Sequence, residues 1–170
     1  MYQILLTNFD VCEKINAHKK GLQHFAFSVF LFNQQKQLLL QQRSENKYHS
    51  CGLWTNSCCS HFRNIEEFNN KEQTIKNRIK EELGVDIKEK LQLVKEIEYN
   101  LKVSELMENE HDFVFCGIIG DNYDFNNFNQ DEVKNIDFVD FQDVIKDTKT
   151  SPEKYTKWFI EIVNKINFPI

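Results

Sequence analysis

The run His24-Phe25-Ala26-Phe27-Ser28-Val29-Phe30-Leu31-Phe32 limits the possible folds of this chain more than any other segment. It is apolar, aromatic and β-branched, and too short for a membrane helix, which predicts a strand covered on both faces. Leu38 to Gln42 follows after a polar turn, so the two segments predict a hairpin buried on both sides. Such a hairpin needs layers to cover it. Glu66 to Leu83 offers one, with Ile75, Ile79 and Leu83 at helical spacing and Gly84 as the stop. Phe113 to Ile119 reads as a further buried strand and Ile136 to Asp140 as a short one, with a helix over 141–147. Ser151-Pro152-Glu153 is the expected start of a last helix: N-cap, proline at the first position, acid in the first turn. Trp158, Ile162 and Ile166 would share one stripe of it. Strands and helices in this mixed order predict an α+β fold, an α/β sandwich.

Only 5 glycines and 2 prolines punctuate the 170 residues, and no Gly/Ser/Pro-rich gap separates two halves, so a single domain over 1–170 is expected. Residues 121–131, rich in Asn and Asp, read as an exposed loop. The 15 phenylalanines carry much of the core, since each ring buries a large area. A net charge of −5 argues against a protein that blankets a nucleic-acid backbone, yet leaves room for a small anion held by a few placed cations or a metal. No stretch is long enough to span a bilayer, and the N-terminus lacks a secretion pattern. The odd set of Cys12, Cys51, Cys58, Cys59 and Cys116 reads as free thiols in a reducing compartment, the cytoplasm.

Four clusters carry possible chemistry. In His18-Lys19-Lys20-Gly21-Leu22-Gln23-His24 two imidazoles flank a glycine that lets the chain fold back; they read first as solvated, and alternatively as ligands of one cation. In Gly52-Leu53-Trp54-Thr55-Asn56-Ser57-Cys58-Cys59-Ser60-His61 an extended backbone would turn Cys59 and His61 to the same side. A thiol beside a metal ligand can serve as acid or base; the alternatives are an inert buried cysteine or structural zinc, for which the paired spacing is missing. Glu108-Asn109-Glu110 places two carboxylates on one face before the Phe113 strand, where they either bind a cation or split their pKa values. In Arg78-Ile79-Lys80-Glu81-Glu82, Arg78 and Glu82 make either a surface pair or, with Glu82 turned inward, an oxygen ligand for Mg²⁺. Arg43 and Lys47 lie after the second hairpin strand, where they can solvate the loop or hold a diphosphate.

Together these segments resemble the type I isopentenyl-diphosphate isomerases, relatives of the Nudix hydrolases. The resemblance runs through Ala17-His18-Lys19-Lys20-Gly21, His24-x-Ala26-Phe27-Ser28, Leu38 to Arg43, Lys47, the Gly52 to His61 segment, Glu82-Leu83-Gly84, Glu108-Asn109-Glu110 and Trp158. It implies Nudix-like mixed sheets flanked by helices, and a site of His18, His24, His61, Glu108 and Glu110 around one divalent ion (Mn²⁺, Mg²⁺ or Zn²⁺). It further implies that Glu82, with the backbone oxygen of Cys59, holds the Mg²⁺ that accompanies the diphosphate. Lys14, Arg43, Lys47 and Ser60 match positions that contact the diphosphate, with Arg78 assisting. Cys59 and Glu110 would move the protons, Tyr99 would aid transfer near the carboxylate, and Trp158 would face the carbocation. The implied partner is a small prenyl diphosphate, with neither nucleic acid nor membrane, for a monomer or weak dimer. Two alternatives stand beside it. One is a Nudix-type hydrolase of a nucleoside diphosphate derivative, against which Asn77-Arg78-Ile79-Lys80-Glu81-Glu82-Leu83-Gly84 lacks the first Arg and Glu of the hydrolase signature. The other is a non-catalytic metal- or thiol-binding protein.

Overall fold

A computed structural model describes residues 2–170. Two short strands, β1 (Gln3–Leu5) and β2 (Val11–Glu13), pair antiparallel and lead into helix α1 (Lys14–Lys20). The larger sheet is built on β3 (His24–Phe32), every residue of which is buried. Its other strands are β4 (Gln37–Arg43), β5 (Trp54–Thr55), β6 (Cys58–His61), β7 (Gln92–Val103), β8 (Leu106–Ile118) and β9 (Val133–Asp140). Helices α2 (Ile65–Asn69) and α3 (Lys71–Leu83) follow β6, while α4 (Phe141–Thr150) and α5 (Lys157–Val163) close the chain. The sheet runs β5-β4-β3-β8-β7, with β6 pairing β3 and β9 pairing β4. The α+β expectation holds.

Period-two alternation sorts β3 and β4 between two cores. Phe25, Phe27, Val29, Leu31 and Leu39 join the cluster that packs on Ile75, Ile79 and Leu83 of α3. Phe30, Phe32, Leu38 and Leu40 join the one that packs on Trp158, Phe159 and Ile162 of α5. Ile166 is buried there as well, but the helix ends at Val163, so the expected stripe holds for Trp158 and Ile162 while Ile166 packs from the segment that follows.

The hairpin differs from the expectation. β3 and β4 meet only at Phe32 and Leu38; elsewhere β3 pairs antiparallel with β6 and parallel with β8. The strands splay because polar side chains take over backbone groups that an ordinary ladder would satisfy. Ser57 Oγ receives the Leu31 amide at 2.8 Å and donates to Leu39 O at 2.6 Å. Asn56 Nδ2 donates to Val29 O at 3.2 Å and to Cys58 O at 2.7 Å, and Gln41 Nε2 donates to Ser57 O at 2.8 Å. Asn56 and Ser57 thereby wedge β6 beside β3.

Two helix boundaries also differ. The 66–83 helix divides at Asn70, which leaves the helical region at φ −114°, ψ 47°. Ser151-Pro152-Glu153 opens only a 3-10 turn at Pro152–Lys154, and the Ser151 side chain caps nothing. Tyr155 is extended there because it bridges Trp54, whose carbonyl accepts the Thr156 amide at 2.9 Å. The final helix therefore starts at Lys157.

Candidate active site

On the α5 face of β3 the sequence changes character: His24, Ala26 and Ser28 precede Phe30 and Phe32. Strand register brings the partners to that polar end. His24 sits opposite Glu110 and Ala26 opposite Asp112 on β8; Ser28 and Ala26 sit opposite Cys59 and His61 on β6. The two-residue rule holds, for Cys59 and His61 line one cavity with Glu108 and Glu110. That cavity, of about 510 Å³, also draws in Gln41 and Glu82 where β3 and β4 part, and Trp158 from α5.

Gly21 supplies the fold-back expected of it: at φ 61° it ends α1 in the left-handed region, which glycine enters without a Cβ penalty. His18 and His24 then meet with ring centroids 4.7 Å apart, and His61 lies 5.2 and 4.9 Å from them. Ligand atoms of His18, His24, His61 and Glu108 all fall within 4.8 Å of one another, and all four residues are buried. The solvated reading of the first cluster is thereby replaced. Glu110 touches the group through His61 Nε2 at 2.9 Å and His24 Nε2 at 3.5 Å.

The donor set fits a divalent ion. His24 Nδ1 donates to Leu22 O at 2.8 Å, which fixes the tautomer and leaves Nε2 free. Both nitrogens of His18, Nε2 of His24 and Nδ1 of His61 are buried without a hydrogen-bond partner. Orphaned imidazole nitrogens are costly unless something else uses their lone pairs. Burial pulls His18 down to about 4 and His61 well below its usual value, so both rings are neutral at pH 7. His24, which burial would also lower, is instead raised by its contact with Glu110 and that group's charge.

The two expected proton-transfer groups are pushed apart. Burial drives the Cys59 thiol up to about 12 against the pull of Arg43. Burial would raise Glu110 too, yet the contact and charge of His24, with the help of Glu108 and Tyr99, hold it at about 2. The Tyr99 hydroxyl stands 2.5 Å from Glu110 Oε2 and 2.9 Å from Asp112 Oδ2, its one hydrogen shared between the two carboxyls, so the tyrosine does stand beside the carboxylate.

The groups expected to face the diphosphate lie together but differ in their partners. Lys14, Arg43, Lys47, Ser60 and Arg78 all line the cavity. Burial draws the Lys14 ammonium down to about 8, and its Nζ stands 4.7 Å from the Tyr48 ring centre and 5.2 Å from that of Tyr2. The Arg43 guanidinium stacks 5.2 Å from the Trp158 centroid. Lys47 pairs with Glu132, which also holds Arg78 Nη2 at 3.2 Å. Glu82 is both paired and inward: it is buried, with Arg78 Nε at 2.7 Å and Gln41 Nε2 at 2.9 Å. Glu82 and Cys59 line the cavity outside the imidazole cluster.

Sequence reading missed His49, Tyr48, Gln41, Glu132 and Asp112. The signal for Asp112 was present, since it continues the alternation of Glu108 and Glu110.

The fold has known counterparts. By fold, the chain is similar to the crystal structure of DR0079 from Deinococcus radiodurans (TM-score 0.71, 12% identity, 98% of this chain and 99% of that one). It is also similar to the MutT protein from Methanosarcina mazei Go1 (TM-score 0.61, 15% identity, 84% of this chain and 91% of that one). The family model described as NUDIX domain matches residues 22–159, which defines the class as a Nudix protein. In sequence it is 38% identical over 157 residues to the isopentenyl-diphosphate Delta-isomerase of Serratia proteamaculans (90% of this chain, 82% of the relative). The isomerase of Pectobacterium atrosepticum is 38% identical over 150 residues (88% and 79%). The chain belongs to the isopentenyl-diphosphate Delta-isomerase family of Nudix proteins.

Proposed function

We propose that this protein interconverts isopentenyl and dimethylallyl diphosphate in isoprenoid biosynthesis, with Cys59 and Glu110 moving the two protons. The observation that carries the mechanism is the pair itself: a thiol kept protonated and a carboxylate kept ionised, lining one cavity. Separating two titratable groups in this way supports their reading as an acid and a base.

The alkene is a weak base, so its protonation yields a tertiary carbocation that water would quench, and the pocket must be dry. Cys59 S–H gives its proton to the terminal alkene carbon, and Glu110 removes one from the allylic carbon on the opposite side of the substrate. In the reverse direction the groups exchange roles. Tyr99 holds Glu110 Oε2 and joins it to Asp112. The face of Trp158 steadies the cation by about 2 kcal/mol when desolvated, roughly thirtyfold in rate. Lys14, Arg43, Lys47 and Ser60, with Arg78, hold the diphosphate. His18, His24, His61, Glu108 and Glu110 would hold one divalent ion (Mn²⁺, Mg²⁺ or Zn²⁺), and Glu82 with the Cys59 carbonyl would hold Mg²⁺. When bound, these ions supply positive charge that neutralises the diphosphate and fixes the ligating carboxylates.

The test is purified protein with Mg²⁺ and isopentenyl diphosphate in deuterated water, followed for deuterium in the allylic product. Cys59→Ala and Glu110→Gln are each expected to nearly abolish turnover with the melting temperature little changed. Near-normal isomerisation by Cys59→Ala removes the mechanism. Phosphate release from nucleoside diphosphates without isomerisation replaces the function with hydrolysis.

A further inference from the structure

One buried imidazole at the cavity has no part in that mechanism. His49 lies in the segment between β4 and β5, and its side chain is 4% exposed. Its ring is clamped edge-on between Tyr48 (centroids 4.2 Å apart, 74°) and Trp158 (5.7 Å, 77°). Its carbonyl accepts Arg43 Nη2 at 3.1 Å, and Nδ1 meets Ser50 Oγ at 3.2 Å.

The other ring nitrogen is the informative atom. His49 Nε2 stands 2.7 Å from Glu108 Oε1, yet off the line of a hydrogen bond, and it has no other partner. Glu108 Oε2 points the other way, 3.7 Å from His18 Nε2. The carboxylate is thus shared, one oxygen toward the imidazole cluster and one toward His49. Had His49 only to fill space between two aromatic rings, an apolar ring would do so without burying an unpaired nitrogen.

We propose that His49 is a positioning residue of the metal centre: its Nε2–H holds Glu108 Oε1 and so presents Oε2 to an ion among His18, His24 and His61. The inference rests on the metal centre of the proposed function. Partners that orient a ligating group in this way are worth about 10- to 100-fold in metal affinity. His49 also ties the segment carrying Lys47 to the same carboxylate, so one contact couples the diphosphate wall to the metal centre.

Mn²⁺ titration of the metal-stripped full chain, with free Mn²⁺ read by electron paramagnetic resonance, tests this without substrate. His49→Phe keeps a ring between Tyr48 and Trp158 but has no donor, and is expected to weaken binding about tenfold or more. His49→Gln keeps a donor and is expected to stay within about threefold of the unaltered protein. With excess Mn²⁺, His49→Phe should recover most of its isomerase activity, which a defect in packing would not. If His49→Phe misfolds, as read from its metal-free melting curve, His49→Met offers the same comparison in a flexible side chain. Glu108→Gln serves as control. Unchanged affinity in His49→Phe, with Glu108→Gln defective, overturns the role of His49 and leaves the metal centre standing. Unchanged affinity in Glu108→Gln overturns the centre and His49 with it. Loss in both His49 variants, with a fourth imidazole nitrogen coupled to Mn²⁺ in the spin-echo spectrum, makes His49 a ligand and also overturns the proposal.

Discussion

Asp112 is fully buried on β8, where Ser28 Oγ donates to Oδ2 at 2.8 Å, Tyr99 OH donates to the same oxygen, and Oδ1 has no partner. Burial first, and then the charge of Glu110, push its carboxyl up to about 7 from the usual 3.8. A folded-state value above the unfolded one means that the neutral form is favoured in the fold. The associated stability is present in full below about pH 4 and is lost as pH rises through 7. Metal-free Asp112→Asn keeps a neutral side chain of the same shape, so its melting temperature should fall less between pH 5 and pH 8 than that of the unaltered chain. The corresponding difference in stability lost should amount to a few kcal/mol at most; equal slopes would mean that Asp112 is ionised at both pH values. At this scale the sequence was readable wherever a periodic rule applied. The shared side of Cys59 and His61 and that of Glu108 and Glu110 follow from a period of two, which continues to Asp112. His49 follows from no such rule, because its placement depends on two aromatic rings, Tyr48 beside it and Trp158 more than a hundred residues away.

Element boundaries followed the same division between local and distant causes. The α3 stop at Gly84 was legible because it is local chemistry: φ is 74° and the amide closes the helix on Lys80 O at 3.1 Å. The splayed β3–β4 pair, the kink at Asn70 and the late start of α5 were not, since each depends on a partner remote in sequence or on a single torsion. β7, an edge strand, went unread although its buried residues Ile97, Tyr99 and Val103 keep the period of two. Gly84 bears directly on the site, for Glu82 lies two residues before it and its carbonyl accepts the Asn129 amide at 2.9 Å. A Cβ at residue 84 would stand 2.4 Å from Asn127 O and 2.9 Å from Asn127 C, both backbone atoms. Gly84→Ala therefore combines left-handed strain with a clash against the 121–131 loop, and should cost roughly 3 kcal/mol or more. For a chain of this length that is a fall of about 6–12 °C in melting temperature. A drop of less than about 2 °C would show that the loop moves aside at little cost.

Across the whole molecule, the four residues of the imidazole cluster come from α1, β3, β6 and β8. Those elements approach one another only in the folded chain. An ion held there would stabilise the native state by its preference for that state over the unfolded one, about 2.7 kcal/mol at a hundred times the dissociation constant. On this chain length, saturating Mn²⁺ should raise the melting temperature by roughly 5–11 °C, and a chelator should reverse the gain. Glu108→Gln should lose most of the rise. Cys59→Ala, which leaves the imidazole cluster intact, should keep it, so the two variants separate the metal centre from the acid. A melting temperature that stays constant while Mn²⁺ is seen to bind would mean that the unfolded chain holds the ion equally well. The cluster would then not be assembled by the fold, because a set of ligands brought together by α1, β3, β6 and β8 has no counterpart once those elements separate.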